Sequence, residues 1–308
     1  MTHSHDASER ASQRRLLLAV ALNFGIAAVE AVGGLLSGAL SLVSDALHNA
    51  GDSGSLLLTL AARRLAGRRN SARHTFGFKR AETFAAVVNA AALIGVSVLL
   101  LAAAIARLRH PVPVQGAWMI GIGLFGVVAN VAGTWLLHRD ARTSLNVRSS
   151  YLHLVADAAS SAAVVFGGIA IIWWRAAWVD PVLTIAIAGY AAVGSVIVLR
   201  QAVHVLMEGT PIDLDLGALQ RAVEAVPGVE NIHHVHVWSV GESDVHLDAH
   251  LEIADMLVSE TQGLRAAVEA VLATDFGVGH VTLQLEAGCC PDTDLIKKRS
   301  ARSERTSS

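Results

Sequence analysis

Charged residues are scarce in this chain. Asp, Glu, Lys and Arg together make up 16% of its 308 residues, against about 25% in typical soluble proteins. Hydrophobic residues make up 53%, and the mean hydropathy is +0.49. This balance argues against a soluble enzyme and against a disordered polypeptide, and it is typical of membrane proteins.

Cysteine and net charge are also nearly absent. The only two cysteines, Cys289 and Cys290, are adjacent, so they cannot cross-link distant parts of a fold as in a secreted disulfide scaffold. The net charge is −2, so the chain as a whole has no attraction for nucleic acid, and we expect no nucleic-acid partner. Histidine, by contrast, occurs 14 times and requires an explanation.

Long apolar stretches rich in glycine and alanine alternate with polar segments. Each is close to the ~20 residues that cross about 30 Å of hydrocarbon as a helix. The sequence therefore predicts a polytopic α-helical membrane protein with six transmembrane helices, in which Gly and Ala favour close helix packing. The predicted spans are residues 16–36, 40–60, 81–106, 114–137, 152–174 and 178–199.

Arginine and lysine are unevenly distributed over the loops between these stretches. With six spans, both termini lie on the same side of the membrane as the loops after spans two and four. That side holds most of the basic residues, including the cluster at 63–80. Because basic loops stay in the cytoplasm, we expect both termini to be cytoplasmic in a multi-pass protein of the cell membrane. Membrane lipid is the expected partner of the basic loop.

Beyond Glu208 the periodicity of the apolar residues changes. A helical period, two strand periods around a turn at 241–244, a second helical period and a last strand period follow one another. This order predicts a small cytoplasmic α+β domain with helices on one face of the sheet. The predicted divisions are a flexible segment 1–13, a six-helix transmembrane domain 14–207, a cytoplasmic domain 208–290 and a disordered tail 291–308.

Ionisable residues are rare inside the predicted spans, and four of them form a repeated pattern. His48 and Asp52 lie in the second span, and His153 and Asp157 lie in the fifth with the same spacing. Residues four apart share one face of a helix. Two such faces turned toward each other offer two imidazole nitrogens and two carboxylate oxygens, a tetrahedral set for a divalent ion, with zinc first.

Other interpretations of these polar residues remain open at this stage. A His and an Asp in one helix can bond to each other or act as proton relays, although the repetition of the spacing favours the metal site. Asp45 lies three residues before His48 on nearly the same face. It is either a spare ligand or a residue of the vestibule that leads to the site.

The ligand chemistry suggests a mechanism and two rival functions. Imidazole and carboxylate bind zinc only when deprotonated, so protons and metal compete for the same groups, and a site that opens alternately to each side exchanges one for the other. An intramembrane metalloenzyme would need an open coordination position, and the sequence contains no HExxH motif. A membrane-anchored metal sensor would bind zinc in the C-terminal domain without ligands in two spans.

Several segments resemble the zinc-type branch of the cation diffusion facilitator family. The resemblance covers about residues 14–290, and the paired HxxxD motifs are its most specific part. It implies a homodimer, not an enzyme, that exports cytoplasmic Zn²⁺ in exchange for protons, with six spans and a ferredoxin-like cytoplasmic domain. His48 favours zinc, with Cd²⁺, Co²⁺ and Ni²⁺ as alternative substrates. The segments are SLVSDALHNAGD, HTFGFKRAE, SLNVRSSYLHLVADAASS, LMEGTP, HHVHVWSV and HVTLQLE.

The same resemblance implies roles for residues in and beside the spans and in the C-terminal domain. The family's four transport-site ligands fall on the two HxxxD pairs, and an ion pair that locks the dimer falls on Arg80 and Glu208. A second zinc site is implied in the cytoplasmic domain, completed by cysteines that reach a neighbouring protomer. Its ligands are His233, His250, His280 and Glu286, with Cys289 and Cys290 as the cysteines.

Overall fold

The structure, a computed structural model, describes residues 21–138, 145–241, 244–288 and 294–296. The predicted N-terminal segment, both cysteines and nearly all of the predicted tail lie outside these residues. The chain divides into two compact units, one formed by Met1–Ala62 with Ala85–Arg200 and the other by Arg63–Phe84 with Gln201–Ser308.

Long helices occupy the region of the predicted spans. Four of them, α3 to α6, are long and apolar enough to cross a membrane, which confirms four of the six predicted spans. The first helix is shorter over the residues that the structure describes. The helices are α1 (Ala21–Ser37), α2 (Leu40–Ala66), α3 (Ala81–Arg109), α4 (Gly116–Leu137), α5 (Leu145–Trp174) and α6 (Val179–Leu206).

Helix α2 is less apolar than its neighbours because it carries a polar stripe. Its 27 residues give a length of about 40 Å. The stripe includes Ser44, Asp45, Asn49 and Ser53, which are all buried. Buried polar side chains require hydrogen-bond partners, so α2 turns this stripe toward the other helices and not toward lipid.

The start of α2 is held by a carboxylate from α6. Asp180 is fully buried and accepts hydrogen bonds from the backbone N–H groups of Leu40 and Ser41, both at 3.0 Å. The Ser41 hydroxyl donates to it at 2.6 Å, and Arg107 on α3 lies 3.3 Å away. A negative charge is stabilised at a helix N-terminus, so Asp180 fixes the ends of three helices together.

Glycine allows α4 and α5 to pack closely. A Cβ atom added at Gly168 would lie 2.9 Å from the backbone oxygen of Gly116, and one added at Gly116 would lie 2.8 Å from the oxygen of Gly168. No larger residue fits at either position without moving the backbone. This contact agrees with the packing expected of Gly-rich spans, and it fixes α5 against α4.

The second unit contains a small mixed sheet and two further helices. The strand order is β1-β2-β3, with β1 and β2 antiparallel and β2 and β3 parallel. The predicted order of helix, two strands, helix and strand is therefore observed over this part of the chain. The elements are α7 (Leu216–Glu224), β1 (Val229–Ser239), β2 (Val245–Ile253), α8 (Thr261–Phe276) and β3 (Val278–Glu286).

Local sequence signals account for the helix ends in this unit, and apolar side chains account for its core. Asp215 caps α7 by accepting hydrogen bonds from the backbone of Gly217 at 2.8 Å and Ala218 at 3.1 Å. Gly277 ends α8 in the left-handed conformation, with a φ of 66°, where glycine carries no steric penalty. The fully buried core residues are Leu219, Val223, Ile232, Leu247, Leu251, Val268 and Leu272.

Strand β1 contains an irregularity that the sequence pattern did not predict. Its pairing with β2 shifts register between His233 and His236, and His234 has a φ of 53°. As a result Ile232 and His233 are both buried, although they are consecutive. Within this shifted stretch of β1, the backbone N–H groups of His234 and Val235 donate hydrogen bonds to carbonyls of the segment 294–296. A bulge of this kind redirects side chains, and here it turns His233 inward.

Candidate metal centres

The two HxxxD pairs meet between α2 and α5. We call His48, Asp52, His153 and Asp157 the membrane tetrad. His48 Nδ1 lies 3.5 Å from Asp52 Oδ2 within α2, and His153 Nε2 lies 3.5 Å from Asp157 Oδ2 within α5. Across the helices, His153 Nε2 lies 3.1 Å from Asp52 Oδ2, and the two imidazole rings are 6.1 Å apart. The structure thus brings together all four residues predicted as transport ligands.

Each member of the tetrad presents an unsatisfied atom to the others. His48 Nδ1, Asp52 Oδ2, His153 Nε2 and Asp157 Oδ2 are inaccessible to water and receive no hydrogen bond within the described residues. Buried polar atoms without partners are costly and rare. These two nitrogens and two oxygens are linked by the three contacts above, and they match the ligand types of a tetrahedral divalent cation.

Helix α6 adds a residue that the sequence analysis missed. The ring of Tyr190 lies 6.1 Å from that of His48 in an edge-on contact. The chain contains only two tyrosines, and a tyrosine in the middle of an apolar span is the signal that could have drawn attention to it. Tyr190 borders the tetrad at the imidazole of His48.

Asp45 lies outside the tetrad's mutual contacts and bonds to α5 through serines. Its side chain is 1% exposed. It accepts hydrogen bonds from Ser160 Oγ at 2.7 Å and from Ser161 Oγ at 3.3 Å. On α1, Glu30 is fully buried and accepts a hydrogen bond from the Asn49 amide at 3.0 Å. Two buried carboxyl groups with polar partners therefore lie in the helix bundle beside the helical segments that carry the tetrad.

A second cluster lies on the three-stranded sheet of the second unit. We call His233, His250 and Glu286 the C-terminal triad. One ligand atom from each residue lies within 4.8 Å of the others. The Glu286 carboxylate bridges the two imidazoles, with Oε2 3.2 Å from His233 Nε2 and Oε1 2.7 Å from His250 Nδ1. The side chains of His233 and Glu286 are 2% and 5% exposed, and that of His250 is 24% exposed.

Strand pairing explains how the triad forms. His233 pairs directly with His250 in the β1–β2 ladder, and Glu286 ends β3 on the other side of β2. The bulge turns the imidazole of His233 inward, toward the end of β3. Both ring nitrogens of His233 and Nδ1 of His250 are buried without a hydrogen bond in the described structure. Two imidazoles and a carboxylate suit Zn²⁺, so the residues fit a bound zinc ion.

His280 does not join the triad. It lies six residues before Glu286 on β3, and six residues of strand span about 20 Å. It pairs instead with His246 of β2, with the two rings 4.7 Å apart. Burial lowers the pKa of His246, and the nearby charges of His280 and Lys79 lower it further. The predicted ligands Cys289 and Cys290 lie outside the described residues.

The ion pair expected from the family resemblance forms within the chain. Arg80 Nη2 lies 2.9 Å from Glu208 Oε1. A second pair, between Lys79 and Asp244 at 2.9 Å, ties the segment before α3 to the start of β2. All four side chains are at least one-third exposed, so each pair contributes on the order of 0–1 kcal/mol. Together they order this segment within the second unit.

Comparison with known proteins gives matches over almost the whole chain. Residues 16–207 match the cation efflux transmembrane domain, and residues 211–288 match the cation efflux protein cytoplasmic domain. The chain is 37% identical to the zinc transporter ZitB of Escherichia coli (strain K12), covering 98% of both chains. It is 35% identical to the cadmium, cobalt and zinc/H(+)-K(+) antiporter of Bacillus subtilis (strain 168), covering 93% of this chain and 92% of that one.

Proposed function

The chain belongs to the cation efflux family, and we propose that it exports Zn²⁺ from the cytoplasm in exchange for protons through the membrane tetrad. It is a multi-pass membrane transporter and not an enzyme, as the sequence predicted. The observation that carries the proposal is the meeting of four buried, unsatisfied nitrogen and oxygen atoms between α2 and α5. The names of the relatives, a zinc transporter and a cadmium, cobalt and zinc antiporter, support zinc with Cd²⁺ and Co²⁺ as further substrates.

Exchange follows from competition for the ligands. Zn²⁺ binds deprotonated imidazole and carboxylate, so its arrival from the cytoplasm displaces protons from the tetrad. When the site opens to the other side, protons displace the ion. Alternating access of this single site is sufficient, because the same four groups carry both kinds of cargo. The membrane potential adds about 2.3 kcal/mol per net charge moved per 100 mV.

The proposed topology has six spans with both termini in the cytoplasm. Four spans are present in α3 to α6. The remaining two are the predicted span 16–36, of which residues 21–36 lie in α1, and α2, whose polar stripe is buried. The basic residues at 63–80 and at the termini support the cytoplasmic assignment.

The C-terminal unit serves as a ferredoxin-like cytoplasmic domain of a homodimer. The domain family matched by residues 211–288 is named for dimerisation, which supports a homodimer. His233, His250 and Glu286 would hold one Zn²⁺, and Cys289 and Cys290 are the proposed further ligands from a neighbouring protomer. A bound zinc there would cross-link β1, β2 and β3.

Transport into proteoliposomes tests the proposal. Liposomes with an acidic interior are expected to accumulate Zn²⁺, whereas the Asp157→Asn variant is expected to show no accumulation above empty liposomes, because the tetrad loses a charged ligand. Glu82→Gln, which removes an acid that pairs with Arg63 outside the tetrad, is the matched control and retains uptake. If Asp157→Asn still transports, the site assignment is wrong. If the wild-type protein binds zinc without transporting it, a metal sensor is the better description.

A further inference from the structure

Two acidic side chains beside the tetrad have no role in the exchange described above. Glu30 of α1 is 0% exposed and Asp45 of α2 is 1% exposed. An ionised carboxylate in such surroundings is strongly disfavoured unless a cation or several donors compensate it. The hydrogen bonds that the two carboxyl groups accept therefore decide whether both can be ionised.

The donors around the pair are all neutral. The Asn49 amide donates to Glu30 Oε2 at 3.0 Å, and the hydroxyls of Ser160 and Ser161 donate to Asp45. Glu30 Oε1 is buried and receives no hydrogen bond from any described donor. The two carboxyl groups are neighbours at Ser161. A Cβ atom added at Gly126 on α4 would lie 2.8 Å from both Glu30 Oε1 and Ser161 Oγ, and the Ser161 hydroxyl donates to Asp45. Two carboxylates are both acceptors, so neither supplies a hydrogen bond to the other.

A shared proton resolves this arrangement. Placed between the two carboxyls, it supplies the missing donor and removes one of two like charges from a buried site. Among the described residues, the other titratable groups that act on the pair include His48 and Asp157 of the tetrad.

The pair is placed to respond to the charge of the tetrad. Asp45 precedes His48 by three residues on α2, and Ser160 and Ser161 follow Asp157 by one turn of α5. A divalent ion in the tetrad would add positive charge close to the pair and favour its ionised form.

We propose that Glu30 and Asp45 form a second proton-binding site, separate from the metal ligands, that releases its proton when Zn²⁺ enters the tetrad and rebinds one when Zn²⁺ leaves. Only an O–H bond breaks and re-forms, and the proton passes to solvent. The inference rests on the proposed antiport and identifies a group that contributes to its proton count.

The test counts the protons that Zn²⁺ binding releases from the purified full-length protein in weakly buffered detergent solution. Glu30→Gln keeps the size of the side chain but cannot titrate, so we expect release to fall by up to about one proton per Zn²⁺ bound at the tetrad. Glu30→Asp retains a titratable carboxyl and is expected to recover part of the difference. Sites in the C-terminal domain are common to all variants and cancel in the comparison.

The outcomes separate this inference from the antiport itself. Asp157→Asn tests the antiport. It removes a tetrad ligand, so it is expected to abolish zinc uptake together with the proton release that zinc binding at the tetrad causes. Glu30→Gln is expected to keep the number of bound Zn²⁺ ions. An unchanged proton count in this variant overturns the inference, and so does the loss of one Zn²⁺ ion, which would make the pair a cation site. If Glu30→Gln does not fold, Asp45→Asn is measured in the same way, with the same two overturning results.

Discussion

The membrane tetrad and the C-terminal triad use the same ligand types but differ in how the backbone presents them. The tetrad is built from two helices, each of which contributes a His and an Asp four residues apart. The triad draws one residue from each of three strands, and one of them lies at a bulge. The ligand pairs of the helical site can therefore be predicted from the local sequence, whereas the strand site depends on pairing between distant segments.

The two clusters also differ in how closed they are. In the tetrad, the side chains of His48, Asp52, His153 and Asp157 are 14%, 28%, 38% and 2% exposed. In the triad, those of His233, His250 and Glu286 are 2%, 24% and 5% exposed. A transport site has to load and release its ion, while an enclosed site retains it. The difference in exposure suits the tetrad for exchange and the triad for long-lived binding.

The largest expected effect separates the two sites by function. His153→Ala removes a tetrad ligand, and we expect zinc uptake into proteoliposomes to fall to background. His250→Ala removes a triad ligand, and we expect uptake to persist. Uptake is measured with a fluorescent zinc indicator inside the liposomes. Equal loss in both variants would mean that the two clusters do not have different roles.

Retention of zinc by the triad depends most on Glu286, because its carboxylate contacts both imidazoles. Glu286→Gln is expected to weaken zinc binding at the triad by more than the roughly 10- to 100-fold that loss of an outer-shell partner costs. Competition with a chromophoric chelator measures this affinity in the full-length protein. Asp248→Asn, a change on the same sheet but outside the triad, is the control that should bind as the wild type does.

The contacts of Asp180 that hold the start of α2 should stabilise the folded protein. Asp180→Asn removes the buried charge that α2 and Arg107 share, and breaking a buried pair in this way costs about 3 kcal/mol. We expect a lower thermal unfolding midpoint in detergent. Glu82→Gln breaks the more exposed pair with Arg63 and should change the midpoint little, by about 0–1 kcal/mol. Similar midpoints for the two variants would contradict the anchoring role of Asp180.

The smallest effect concerns His280. Because it packs on His246 and not in the triad, His280→Ala is expected to leave the zinc affinity of the triad within about a factor of two, since about 0.4 kcal/mol separates such affinities. The chelator competition used for Glu286 measures it. A loss as large as that of Glu286→Gln would return His280 to the ligand set.

Some elements of this protein are predictable from sequence and others are not, for physical reasons. The spans at α3 to α6 were predictable because lipid requires about 20 apolar residues in a row. The polar stripe of α2 lowers its hydropathy, yet the same stripe carries His48 and Asp52. In the C-terminal unit, alternation indicated the strands, but the bulge at His234 and the distance between His280 and Glu286 depend on strand pairing. Tyr190 and the contact between Glu30 and Asp45 also depend on how separate helices pack.

The sequence by itself determined the membrane setting, the family and the two HxxxD pairs, because hydropathy and helical spacing are local properties of the chain. The tertiary structure decided which side chains meet. It brought α2 against α5, anchored α2 through Asp180, selected His233, His250 and Glu286 from six predicted ligands of which four are described, and placed Glu30 beside Asp45. Contacts between residues far apart in sequence depend on packing and register, and no local pattern contains that information.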